Sequence, residues 1–301
     1  MNASVYKAEA SNKSAYFLKL KRGQSHDISV LVTELLHDAG IQQIIPIIKT
    51  IRGQSTQPID DCILVVFPFI EGQDGFSRDL TDSQWKILGK VMRQIHNIEI
   101  PPALQNKIRR ESYAFKWGEV VRSIYSHFET VQSDDAITLK LGMFLIKHKM
   151  TIHCLVDRAE KLNQQIKDQL PEFVLCHSDI HGGNVLIDRN DDLYIVDWDD
   201  PIMAPKERDL MFIGAGVANV WNKPFEGKLF YQGYGKMEVN MAILAYYRYV
   251  RIVEDIALYG QQLLIPTLED QTRLRLYKQF IDQFKPNGVV EIAFKTAALD
   301  L

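Results

Sequence analysis

The 301-residue chain has few cysteines, no long apolar run and almost no charge imbalance. Its three cysteines, Cys62, Cys154 and Cys176, are an odd number at spacings that suit neither a disulfide framework nor a CxxC metal knuckle. That argues against a stapled secreted domain, and the cytoplasm is the expected compartment. The longest apolar stretch, ILVVFPFI at residues 63–70, falls far short of the roughly 18 residues that suggest a membrane span, and the opening MNASVYKAEA has no secretory pattern. The formal net charge is -3, from 35 basic and 38 acidic residues spread along the chain, so there is no basic field for nucleic acid or anionic lipid. There is also no internal repeat and no low-complexity tract. With 46% hydrophobic residues to fill a core, the expectation is a soluble globular monomer whose partners are small molecules, not nucleic acid or membrane.

What is present divides into a β-rich start and a largely helical remainder. Residues 4–10 (SVYKAEA) and 14–21 (SAYFLKLK) are predicted to be strands joined by the turn SNK. Ser25 is placed to cap a helix that keeps helical apolar spacing up to a stop at Gly40. Residues 44–51 (IIPIIKTI) and 62–70 (CILVVFPFI) are predicted strands flanking a polar loop at 52–61. The second ends at Glu71-Gly72, the expected boundary between a small lobe, 1–72, and a larger lobe, 73–301. Thr81 and Gln84 have capping-box spacing ahead of Trp85, Leu88, Met92 and Ile95, which predicts a helix facing a core. Further helices are predicted at 105–128, at 136–170 before Pro171, at 238–264 and at 267–284. A β insertion at 173–200 interrupts them, with the runs FVLC, VLID and LYIV, the last two joined by RNDD.

The chemistry sits in that insertion. An antiparallel hairpin sets the residue entering its first strand beside the residue leaving its second, so Asn184 should neighbour Asp197. Asp179, five residues before Asn184, brings a third oxygen-bearing side chain to the same end. Hard oxygen donors suit Mg²⁺, which takes few protein ligands and fills its remaining positions with water and substrate phosphates. The order His-x-Asp-x-x-x-x-Asn, hairpin, Asp matches the catalytic loop and metal-binding aspartate of protein kinases. In that scheme Asp179 accepts the proton of an attacking hydroxyl, Asn184 and Asp197 hold Mg²⁺, and His177 fixes the loop. A zinc pair of His177 and His181 is the rival. Strand-like runs on both sides, the helix-breaking Gly182-Gly183 and the lack of HExxH or CxxC weigh against it.

Kinase chemistry also needs a lysine for the ATP phosphates and an acid on the following helix to hold it. Lys19 in YFLKLK is the first candidate, with Lys21, which has the same facing, as the fallback. Asp27 and Glu34 are seven apart, share a helix face and are both candidate acids, with Glu34 slightly preferred. Pro68, Phe69 and Ile70 of FPFIEG form the expected connector whose backbone would bind adenine, with Phe67 or Phe69 packing nearby; an ordinary strand exit is the alternative.

VLCHSDIHGGNVL (174–186), IVDWDDPIMAPKERDLMFIG (195–214), VWNKP and RIVEDIALYG closely resemble the aminoglycoside phosphotransferase family, and the likeness runs over residues 2–294. The resemblance implies an α+β, two-lobed, protein-kinase-like fold with a small β-rich amino-terminal lobe and a larger, mostly helical carboxy-terminal lobe. It implies transfer of the ATP γ-phosphoryl group to a drug hydroxyl, with Asp179 as base, Asn184 and Asp197 as metal ligands and Lys19 as the phosphate lysine. Family members begin with an extra segment and a strand-loop that covers the phosphates. Here the chain opens at about the second strand and no glycine-rich loop precedes Lys19, so an exposed sheet edge is expected.

The expected substrate is a compact cationic aminocyclitol of the spectinomycin type, which acidic side chains near the cleft would attract. Asp199, Asp200, Glu207 and Asp209 follow the metal aspartate, and Asp199 is the first choice because it lies two residues past Asp197. For Glu207 and Asp209 the alternative is that KERDL holds the loop through Arg208 ion pairs. Trp221 would stack on the rings or sit in the core, and Glu254 and Asp255 would offer further acids or a solvated face. The same motif also serves amino-alcohol kinases acting on choline or homoserine, and a degenerate nucleotide-binding protein could retain it.

Overall fold

Residues 3–22, 27–130, 133–169, 171–265 and 267–297 are described by the structure, a computed structural model. Along them run β1 (Ala3–Glu9), β2 (Ala15–Arg22), α1 (Ile28–Asp38), β3 (Gln57–Ile59), β4 (Cys62–Pro68), β5 (Gly72–Asp74), α2 (Asp82–His96), α3 (Pro102–Gln105), β6 (Arg109–Arg110), α4 (Trp117–Thr130), α5 (Ala136–Lys147) and α6 (Lys149–Ile166). Then follow β7 (Val174–Cys176), β8 (Val185–Asp188), β9 (Leu193–Ile195), β10 (Ile202–Ala204), α7 (Glu207–Leu210), α8 (Pro224–Tyr234), α9 (Met241–Leu263), α10 (Asp270–Asp282) and α11 (Val289–Ala297). The result is the expected mixed α+β chain, with an antiparallel sheet at its start and mostly helices in its carboxy-terminal portion.

By packing, the chain forms two compact units. Met1–Glu111, Phe173–Asp209 and Lys228–Lys236 make the first, and Ser112–Glu172, Leu210–Gly227 and Met237–Leu301 make the second. This grouping differs from the 1–72 and 73–301 division drawn from the sequence. Backbone pairing explains the difference: β5 joins β8 antiparallel, and Ile44 bridges Ile195 of β9, so the β8–β9 hairpin packs with the amino-terminal segments.

In the first unit, the sheet has the order β1-β2-β4-β3, with β2 paired along its length on both sides. Strand alternation in AYFLKLKR puts Phe17, Lys19 and Lys21 on one face, and all three line the same cavity. β1 is an edge strand whose Val5 and Tyr6 are exposed. Helix α1 is capped by the Asp27 side chain, which accepts from Ser29 N; Ser25, the predicted cap, lies outside the described residues. Its Val30 packs on Ile63 and Val65 of β4. The capping box at Thr81 and Gln84 is present on α2, whose Trp85, Leu88, Met92 and Ile95 are buried as predicted. Gly89 of α2 and Gly233 of α8 make a backbone-to-backbone crossing possible: a Cβ would lie 2.1 Å from Phe230 O at the first and 1.9 Å from Lys86 O at the second.

Three predicted elements are corrected. Residues 44–51 are not a strand. Pro46 interrupts the run, Ile44 is buried but makes only an isolated bridge to β9, and half-buried Ile47 packs onto the Val30, Ile63, Val65 cluster, so no ladder forms. The third strand of the sheet lies instead in the predicted polar loop, where Gln57–Ile59 pairs with β4. The predicted helix 105–128 begins only at Trp117, because Arg109 and Arg110 pair with β10. The predicted helix 136–170 is broken at His148 into α5 and α6.

The second unit is built around α9, whose buried residues, from Ile243 to Leu263, face α4, α6, α10 and α11. Buried Arg273 of α10 ties the ends of two other helices together. Its guanidinium bonds both carboxylate oxygens of Asp135, the cap of α5, and donates to Leu263 O at 2.9 Å at the end of α9. Arg273, followed by Thr138, holds the Asp135 carboxyl well below the usual carboxylate range. A depressed folded-state pKa gives stability that is present above the unfolded value, near 4, and is lost as pH falls from there toward the folded value. Asp135→Asn keeps the cap but loses the charge. It is expected to melt below the wild type at pH 7, with the gap narrowing as pH falls below about 4, read by circular-dichroism melts across pH.

Candidate active site

The loop after β7 is shaped by its own backbone donors. The N–H groups of His177 and Ser178, the latter at φ +73°, both point at the Asp209 carboxylate, at 2.9 and 2.7 Å. His177 Nδ1 accepts from Asp179 N at 3.3 Å, so its Nε2–H donates to Val196 O at 2.8 Å. With its ring edge against Trp198 and 1% exposure, His177 pins the loop to the strand exit beyond β9. Asn184 Nδ2 donates to Asp179 O at 2.8 Å, which ties the loop to the start of β8 and makes its amide oxygen the atom that could hold a metal. Val196 N donates to Asn184 O at 3.0 Å, so Asn184 and Asp197 flank the mouth of the hairpin as predicted, and both line one cavity. Asp197 is in the left-handed region, at φ +66°, with its side chain half exposed.

The glycine pair of HSDIHGGN has a steric cause. A Cβ on Gly183 would lie 2.6 Å from the Phe76 ring, and one on Gly182 would lie 3.0 Å from the Gly75 backbone. The loop after β5 therefore closes tightly on this turn, with Gly75 N bonded to Gly182 O and the Phe76 ring stacked on His181 at 5.0 Å. His181 Nδ1 accepts from Gly183 N, and its Nε2 lies 3.4 Å from Asp179 Oδ2. It is therefore a neighbour of Asp179 and not a partner of His177 in a zinc site.

Facing Asn184 and Asp197 is a cavity of about 500 Å³, lined mostly by apolar side chains. Pro68, Phe69 and Ile70 line it, together with Phe67, Leu186 and Ile195. Phe69 N–H is bonded to Ala15 O and Pro68 has no N–H, so Ile70 is the first residue of the connector with a backbone donor to offer.

Both lysines of β2 reach this cavity. Lys19 Nζ bonds Asp197 Oδ1 at 2.8 Å and Asp199 Oδ2 at 2.7 Å. Burial alone would lower the Lys19 pKa, but hydrogen bonds and charge from the two aspartates outweigh it and the net shift is upward. Lys21 Nζ bonds Asp27 Oδ1 at 3.2 Å, Ser29 Oγ at 3.0 Å and Asp199 Oδ1 at 3.1 Å. Burial raises the Asp199 carboxyl, yet the two lysines outweigh that and hold it below its ordinary value.

The helix acid is therefore Asp27, through Lys21. Glu34 is corrected: its carboxylate is bonded by Ser55 and lies 3.4 Å from Lys49, because its turn of α1 faces the loop that leads into β3. The expected substrate acids separate as well. Asp199 is committed to the two lysines, and Asp200 is exposed, with its backbone oxygen accepting from Ser178 Oγ. Glu207 is 3% exposed and Trp221 is 4% exposed, so neither presents a surface to a ligand. Trp221 and half-buried Glu254 belong to the second unit.

Asp209, placed with the substrate acids in the sequence, is a buried anchor. Besides two backbone donors it accepts from His96 Nε2 at 3.0 Å, and His96 Nδ1 is bonded by the Tyr234 hydroxyl at 2.6 Å. Burial pushes the Tyr234 hydroxyl upward, so it stays protonated and donates, which leaves the second imidazole N–H for Asp209. These partners are 113 and 138 residues apart, and the only local hint was a histidine ending an apolar helix.

A kinase-like catalytic loop, metal-type hairpin and lysine pair on an antiparallel sheet define a phosphotransferase. Residues 2–240 match the phosphotransferase enzyme family, to which the chain belongs. A crystal structure of spectinomycin phosphotransferase with ADP and spectinomycin is 48% identical over 99% of this chain and 91% of that chain, with a TM-score of 0.93. Its AMP-bound complex is 49% identical over 96% and 90%, with a TM-score of 0.90. An ethanolamine kinase of Plasmodium vivax, 14% identical over 94% and 79% with a TM-score of 0.58, shares the fold alone. A comparison with curated protein sequences gave no match.

Asp209→Ala removes the acceptor of three buried donors. It is expected to lower the unfolding free energy by about 3 kcal/mol, read from urea denaturation followed by tryptophan fluorescence.

Proposed function

We propose that the chain is an ATP-dependent kinase that phosphorylates a hydroxyl of spectinomycin and so confers resistance to it. The reading is carried by the Asp179, Asn184, Asp197 constellation beside a lysine-lined cavity, in a chain 48% identical over nearly its whole length to an enzyme that binds ADP and spectinomycin. The adenine lies among the apolar residues of the cavity, with Ile70 offering the backbone donor. Asp179 takes the proton of the substrate hydroxyl as its oxygen attacks the γ-phosphorus in line and the bond to the ADP oxygen breaks. Lys19 turns its ammonium to the phosphates, and His177 and Asn184 keep Asp179 in place. Asn184 and Asp197 offer hard oxygen donors that fit Mg²⁺, with the Asn184 amide nitrogen already bound to Asp179 O and its oxygen therefore turned outward. Mg²⁺ held by these two residues would supply positive charge to offset that of the phosphates. The enzyme works as a cytoplasmic monomer in this reading; no helix among the described residues is long and apolar enough to cross a membrane.

ADP release by the purified chain with ATP and Mg²⁺ tests this, with spectinomycin, kanamycin, streptomycin, choline and homoserine as acceptors. The expected result is release that depends on spectinomycin and falls about 10³-fold in Asp179→Asn, with nucleotide binding retained. Release with choline or homoserine instead would make it an amino-alcohol kinase. ADP binding without any turnover would make it a degenerate binder.

A further inference from the structure

The two lysines of β2 share an aspartate but are not equivalent. An ammonium has three N–H donors. Those of Lys21 match three protein acceptors at 3.0 to 3.2 Å, on Asp27, Ser29 and Asp199, and the residue is 8% exposed. Its donors are spent on the protein before any phosphate arrives. Lys19, in contrast, is bonded by two carboxylates, Asp197 at 2.8 Å and Asp199 at 2.7 Å. Asp199 uses a different oxygen for each lysine, Oδ1 for Lys21 and Oδ2 for Lys19. The cluster holds two ammonium groups against three carboxylates, those of Asp27, Asp197 and Asp199. Any phosphate that takes Lys19 must compete with Asp199 for it.

Resting on the nucleotide-site reading above, we propose that Lys21 is a positioning residue that shares Asp199 with Lys19 and so weakens that carboxylate's hold on Lys19, letting Lys19 turn to the nucleotide phosphates. Asp27 and Ser29 make that sharing rigid. Asp27 caps α1, and the Ser29 hydroxyl donates to Asp27 as well, so Lys21 is fastened to the first turn of a helix that packs on β4. Neutralising Lys21 leaves Asp199 bonded to Lys19 without a second ammonium beside it, so that carboxylate pulls on Lys19 at full strength.

A double-mutant cycle separates this role from direct phosphate contact, with ADP affinity measured by titration calorimetry in the presence of Mg²⁺ and thermal melting as the folding control. Lys21→Met is expected to weaken ADP about tenfold, and adding Asp199→Asn to restore affinity to within about threefold of wild type, because the competing carboxylate is gone. A loss in Lys21→Met that Asp199→Asn does not reverse overturns the proposal, since a lost phosphate contact, a disturbed fold or a lost metal ligand is not rescued by a second neutralisation. Unchanged affinity in Lys21→Met overturns it as well. If Lys21→Met does not fold, Asp199→Asn alone decides: ADP binding equal to or tighter than wild type supports the proposal, and tenfold weaker binding sinks it. Wild-type protein that binds no ADP would sink the nucleotide reading itself, an outcome distinct from a wild type that binds ADP and a cycle that shows no rescue.

Discussion

A single buried carboxylate carries the catalytic loop. Asp209 gathers the N–H groups of His177 and Ser178 and the imidazole N–H of His96, so the turn that aims Asp179 is fastened to α2 and, through Tyr234, to α8. A buried acceptor with three donors is a stable arrangement only when all three are present, because each unmatched donor would keep its full desolvation cost. That mutual dependence makes the geometry of a flexible stretch such as HSDIHGG reproducible. The same logic explains Ser178 in the left-handed region: the cost of that backbone conformation is met by two short bonds, one from its N–H to Asp209 and one from its hydroxyl to Asp200 O.

The second organising feature is electrostatic. Lys19, Lys21, Asp27, Asp197 and Asp199 form one hydrogen-bonded cluster at the end of a mostly apolar cavity. It holds two ammonium groups against three carboxylates. Each carboxylate oxygen of Asp199 is paired with a lysine of β2, Oδ1 with Lys21 and Oδ2 with Lys19. Of the four acids that follow Asp197, Asp200 alone is exposed, with Glu207 and Asp209 buried.

Close packing adds a third constraint. The contact between the Gly75-Phe76 turn and Gly182-Gly183 leaves no room for a side chain on the catalytic turn, and it sets His181 between the Phe76 ring and the Asp179 carboxylate. A motif that reads as metal-ligand spacing in one dimension is thus a steric and orienting device in three.

The features legible in the sequence were those governed by short-range spacing. The capping box at Thr81, the β8–β9 hairpin with Asn184 and Asp197 at its mouth, His177 and Asp179 in the turn, and Lys19 and Lys21 on one face of β2 all follow from local periodicity and turn chemistry, because the interacting residues are few positions apart or are ordered by a single hairpin. What only the tertiary structure decided depends on partners far away along the chain. Lys19 meets Asp197 across 178 positions, and Lys21 meets Asp199 across the same separation. The choice of Asp27 over Glu34 turned on which turn of α1 faces β2, and the anchoring role of Asp209 turned on a histidine 113 residues earlier. Residues 44–51 have strand-like composition, yet with Pro46 among them they make only isolated backbone contacts, Ile44 with Ile195 and Ile48 with Val66, while a polar segment took the sheet edge. Periodicity reports which face of an element is buried; which other residues meet it there is set by the packing of the whole chain.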